Sequence, residues 1–175
     1  LAALATAALL GAGPAAAQSA LDGDLAFDPV TKVDGETLQV VFGQRAVFHL
    51  DDGGRPAIDA VETGKLADAH LKGVAKETFT PPDAGKIAAA LDGSAEKRVS
   101  ILKLWNGLPH PIEYRLATLS LNAGKLDIQP VKPCVLAPGQ VYTQSWPQPV
   151  VAIALTRFAE PDGAGDAPAC PTATP

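Results

Sequence analysis

The chain reads as an all-β protein: an antiparallel β-sandwich of about eight or nine strands, immunoglobulin-like, with little helix. Three observations predict this. Short apolar runs recur along the sequence, many of them alternating with period two. Clusters of Gly, Pro, Asn and Asp separate these runs at close intervals. No amphipathic helical pattern exceeds about two turns, so two packed sheets are the remaining way to bury the apolar faces.

Leu1 to Ala17 carries no charge and ends in Ala15-Ala16-Ala17. An apolar run closed by small residues is the pattern of a secretory signal peptide, expected over 1–17 with Gln18 first after cleavage. The chain contains no Met, and a clipped start is expected. A membrane anchor is the rival reading. It needs about 20 mostly apolar residues, whereas the Leu/Ala run here is broken by Gly11 to Pro14. No later segment is apolar enough to span a bilayer, so no membrane insertion is expected after cleavage.

Thr37–Phe42 alternates, with Leu38, Val40 and Phe42 on one face, and Ala46, Phe48 and Leu50 alternate in the next run. Gly43-Gln44 suits a two-residue hairpin turn, yet the parity continues unbroken, so one strand bent at Gly43 is the alternative. Asp51-Asp52-Gly53-Gly54 is the strongest turn signal, and Pro56–Val61 is the return strand. Residues 62–97 are the least legible. Leu66–Leu71 suits a helical turn or two, and Phe79–Pro82 is extended because proline disfavours the helical region before it. Lys86–Leu91 has helix-forming composition but is short and abuts Asp92-Gly93, so a strand paired with the next run is expected.

Arg98–Trp105 is almost continuously apolar, like a strand buried on both faces. Ile112, Tyr114 and Leu116 alternate; the apolar set then moves to Ala117, Leu119 and Leu121, which predicts a β-bulge near Ala117-Thr118. Leu126–Ile128, Gln140–Trp146 and Val150–Phe158 complete the strands. One domain over 18–160 is expected, followed by a Pro/Gly-rich tail over 161–175.

Cys134 and Cys170 are the only cysteines. In an exported chain an isolated pair forms a disulfide, which here would pin the tail to the folded body. A redox-active pair would want Cys-x-x-Cys spacing or an activating base, and neither is present. Cys170 also lies outside the strands, so the inter-sheet bridge pattern of antibody domains is absent.

The formal net charge is −5. Residues 18–97 hold 14 acids and 8 bases, and residues 98–175 hold 5 acids and 6 bases. This balance argues against nucleic acid, whose phosphates an acidic surface repels.

Sites are harder to read. His49, His70 and His110 have no zinc-type spacing, and Asp22, Asp24 and Asp28 lack the remaining ligands of a calcium loop. No Gly-x-Ser-x-Gly or glycine-rich phosphate loop occurs, and no cofactor is expected. Trp146 is the candidate ligand-binding residue, because Pro147 ends its strand and leaves the indole near the rim. The expected function is therefore a non-catalytic binding or interaction module of a bacterial-type periplasm or cell envelope, periplasmic or secreted. Its partner would be another envelope protein or a carbohydrate. The alternatives are a small secreted hydrolase with loop-borne His and carboxylate residues, and a metal carrier using dispersed His and Asp.

Overall fold

The computed structural model describes residues 29–161 and 167–171. The expected signal peptide, the Asp22-Asp24-Asp28 group and most of the tail lie outside these residues. In chain order the strands are β1 (Lys32–Asp34), β2 (Thr37–Val41), β3 (Gln44–Leu50), β4 (Pro56–Thr63), β5 (Ile87–Ser94) and β6 (Val99–Asn106). They continue with β7 (Ile112–Asn122), β8 (Lys125–Val131), β9 (Val135–Leu136), β10 (Val141–Trp146) and β11 (Ala152–Ala159). The first sheet is ordered β1-β2-β11-β7-β8, with β9 also on β7; the second is β10-β6-β5-β3-β4. The strand pairings are antiparallel, and the two sheets pack face to face as a sandwich. The nine expected runs are all strands. The additions, β1 and β9, are three and two residues long, too short to show periodicity.

The bend at Gly43 replaces the hairpin. β2 belongs to the first sheet and β3 to the second, and they do not pair. The hop is complete within one peptide: Phe42 N–H donates at 3.0 Å to Val151 O, just before β11 of the first sheet, and Gly43 N–H to Leu91 O of the second at 2.8 Å. Gly43 has φ +78°, a left-handed conformation that glycine adopts without a Cβ penalty. Side-chain parity survives, so Leu38, Val40, Ala46 and Phe48 all face the main core. Phe42 is the exception, at 45% exposed.

The bulge lies on a different strand from the one expected. β7 pairs with β8 in unbroken register from Leu116 to Asn122. Thr118 keeps the core-side position, buried, with its hydroxyl donating to Gln129 O at 3.4 Å. Leu119 instead packs on the outer face with Val41 and Ala152, so the apolar set marks a second cluster and no extra residue. The register shift falls on β11 between Thr156 and Ala159, where Arg157 takes φ +54°. That extra residue lets both Leu155 and Phe158 face the core.

The second sheet is buried on both faces at β5 and β6, as the apolar run of β6 requires. Residues 64–82 cross its outer side as a strap, whose helical content is one 3-10 turn at Ala67–Ala69. Leu66, Ala69 and Phe79 of the strap pack on Val47, Ala88, Ala90, Ile101 and Trp105. The alanines of β5 let the strap approach closely. Buried Arg45 ties it down: its guanidinium pairs with Glu62 at 2.7 Å, donates to Thr80 O, and lies 5.1 Å from the Phe79 ring centroid.

Cys134 and Cys170 are placed in a disulfide with Cα atoms 4.8 Å apart. The last described stretch runs beside β9, Val135 N–H donating to Pro168 O and Cys170 N–H to Val135 O, both at 2.8 Å. The Tyr114 hydroxyl sits 3.6 and 3.7 Å from the two sulfurs. Burial, then the neighbouring Tyr142, pushes the Tyr114 phenol above its ordinary range; burial does the same to Tyr142. No helix among the described residues is long and apolar enough to cross a membrane.

Candidate functional site

A groove of about 780 Å³ opens at the end of the sandwich where the chain changes sheets. Four features enclose it. Phe42 projects from the β2–β3 hop. Ser94 to Ser100 form the β5–β6 hairpin, and Pro147 and Pro149 lie in the β10–β11 connection. The strap contributes His70 and Val74. The volume lies within the range of about 300–1,000 Å³ usual for small-molecule sites.

The groove's apolar surface comes from Phe42, Val74, Val99, Pro147 and Pro149, with Val74 70% exposed. Side chains this apolar are left in water at a cost that a ligand could recover. Three of the polar side chains lining it are committed elsewhere. Ser100 Oγ donates to Gln148 O and accepts from Val150 N–H, both at 3.0 Å. Ser94 Oγ accepts from Lys97 N–H at 3.2 Å. His70 Nε2 lies 2.9 Å from Asp92 Oδ2. The prolines offer no N–H at all. Glu96 and Arg98 are different: both are exposed on the hairpin, and neither is ion-paired to a described residue.

Asp92 lies beneath the strap and is fully buried. Its Oδ2 accepts from Leu66 N–H at 2.8 Å as well as from His70, and Lys65 Nζ is 3.9 Å from Oδ1. This arrangement clamps the strap on the sheet and fixes the His70 ring at the groove. It also gives the juxtaposition a hydrolase would need, a histidine and a carboxylate beside a cavity.

The other sequence candidates lie apart. Trp146 is half-buried against the main core, while its neighbours Pro147 and Pro149 line the groove. His49 pairs with Asp59 at 2.9 Å on the exposed side of β3 and β4. His110 Nδ1 is 3.1 Å from Pro111 O in the loop before β7. Buried Asn106 organises that loop, donating to His110 O and Leu136 O at 3.0 Å. Among the described residues, no three His, Cys, Asp or Glu side chains gather as a metal site would require.

Sequence reasoning overlooked the groove because its parts are far apart in the chain. The available signals were Phe42 immediately before a glycine and the Pro-Gln-Pro break after Trp146. No protein-family model, curated protein or solved structure matches the chain.

Proposed function

We propose that the protein is an exported, non-catalytic binding module, periplasmic or secreted, whose ligand site is the end groove. The apolar groove with internally paired polar atoms carries this reading. Such a lining favours an apolar body over a carbohydrate, whose hydroxyls would need unpaired donors and acceptors along the walls as well as the charged pair Glu96 and Arg98 on the hairpin. Export rests on the signal-like run of 1–17 and on a cysteine pair at disulfide distance, which suits an oxidising compartment. The immunoglobulin-like kinship rests only on the two-sheet antiparallel architecture.

The test is titration of the oxidised protein with N-phenyl-1-naphthylamine, an uncharged naphthalene whose emission rises in apolar surroundings. Saturable binding at one site is expected, lost in Phe42→Asp and Val74→Asp. Both positions are exposed, so the fold should persist, as circular dichroism would check. Absence of saturable binding, or binding indifferent to both substitutions, overturns the reading.

The His70–Asp92 pair supports a second reading, a small hydrolase using Ser94 of the same groove as nucleophile. It expects a fluorophosphonate to label Ser94, and an unlabelled Ser94 would dismiss it.

A further inference from the structure

We infer that the groove takes a single-chain amphiphile with a zwitterionic head, its alkyl chain among Phe42, Val74, Val99, Pro147 and Pro149 and its head between Glu96 and Arg98. The inference rests on the binding reading above and names the ligand class.

Two candidate bodies could fill an apolar groove: an extended peptide or an alkyl chain. A peptide brings an N–H and a C=O with every residue, and each must find a partner when buried. Here the walls supply few. The hydroxyl of Ser100 is used twice over, that of Ser94 accepts from Lys97, and the His70 nitrogen facing Asp92 is taken. The prolines at 147 and 149 have no N–H. An alkyl chain has no polar groups and loses nothing in such a site.

The head assignment comes from the hairpin. Glu96 and Arg98 are two residues apart, exposed, and not ion-paired within the described residues. Both border the groove. One anionic and one cationic group at a single rim complement a head that carries both signs, such as a phosphate joined to an ammonium. A purely anionic head would meet Glu96, and a purely cationic one Arg98. Arg98 holds φ +51° in the hairpin turn, a left-handed conformation that glycine would adopt without a Cβ penalty.

The experiment is displacement of bound N-phenyl-1-naphthylamine by alkylphosphocholines of increasing chain length, each below its micelle concentration. Alkyl sulfates and alkyltrimethylammonium salts of matched length serve as comparisons. Affinity should rise roughly fourfold per added methylene until the groove is filled, with phosphocholine preferred over either single-sign head. Arg98→Gly relaxes the backbone while removing the guanidinium, so the fold should hold. It should cost phosphocholine and sulfate about threefold to fivefold, the scale of an exposed ion pair, and leave the ammonium series unweakened. Glu96→Ala should do the reverse. If the naphthylamine binds but affinity is flat with chain length, or head preference is unchanged in both variants, the amphiphile assignment is overturned while the binding reading stands. If the naphthylamine does not bind, the binding reading itself falls.

Discussion

Replacing Asp92 by Ala should loosen the strap and lower global stability by about 2–3 kcal/mol. The figure comes from opposing contributions. Leu66 N–H, bonded to the carboxylate at 2.8 Å and fully buried with its residue, would lose its acceptor, at a cost of about 1–3 kcal/mol. The bond to His70 at 2.9 Å is also lost, and hydrogen bonds to a charged group contribute about 1.5–3 kcal/mol. Against this, the carboxylate is itself fully buried, and its Oδ1 has no hydrogen bond, with Lys65 Nζ 3.9 Å away. Deleting it removes part of a desolvation penalty. Asp92→Asn keeps an oxygen for Leu66 N–H and should fall between wild type and Asp92→Ala. Urea unfolding of the oxidised protein gives the global change. Amide hydrogen exchange gives the local one, with Leu66 expected to exchange about 30- to 150-fold faster. If Asp92→Ala unfolds within about 0.5 kcal/mol of wild type and Leu66 exchange is unchanged, the carboxylate is not what holds the strap.

Three further outcomes follow from the same structure. Replacing Cys134 and Cys170 together by Ser, which opens a 36-residue separation, should cost about 4 kcal/mol on chain-entropy grounds, read as a lower urea midpoint. Gly64→Ala would place a methyl group within 2.6 Å of the Phe79 ring and against Thr78 Oγ1; the displaced strap should cost about 1–3 kcal/mol, and thermal unfolding would register it. Tyr114 and Tyr142 have phenols raised by burial, so the folded state binds their protons more tightly than the unfolded chain does. Their contribution is complete below the unfolded phenol value of about 10 and is lost as pH rises from there through the raised folded values. Absorbance titration of tyrosinate should therefore coincide with alkaline unfolding, and ionisation of both phenols with the fold intact would contradict this.

The fold was readable where one face of a strand is apolar and the other is not. Leu38, Val40, Ala46 and Phe48 alternate in the sequence because they line one side of the core, and the twofold burial of β6 shows as a nearly continuous apolar run. Readability failed where two different surfaces share one strand. Leu119 suggested a shifted register because nothing local reports that Val41 and Ala152 await it on the outer face. Residues 64–82 were opaque for the opposite reason. They have little repeating structure of their own and are held by side chains from elsewhere, chiefly Arg45 and Asp92, whose burial no spacing rule announces. The groove was least legible of all. It draws on the β2–β3 hop, the strap, a hairpin tip and a proline-rich connection, and convergence of that kind is a property of the tertiary fold alone. Trp146 packs against the main core, and it is Pro147 and Pro149 beside it that line the groove.

The strand hop at Phe42 also has a mechanical consequence. The two layers are stitched by a continuous backbone that leaves one at Phe42 and grips the other at Gly43, so neither can slide without loading that link. The phenyl ring carried on the stitch forms part of the groove wall. A guest wedged against this ring would brace both layers at once, and its arrival should stiffen the whole sandwich against shear.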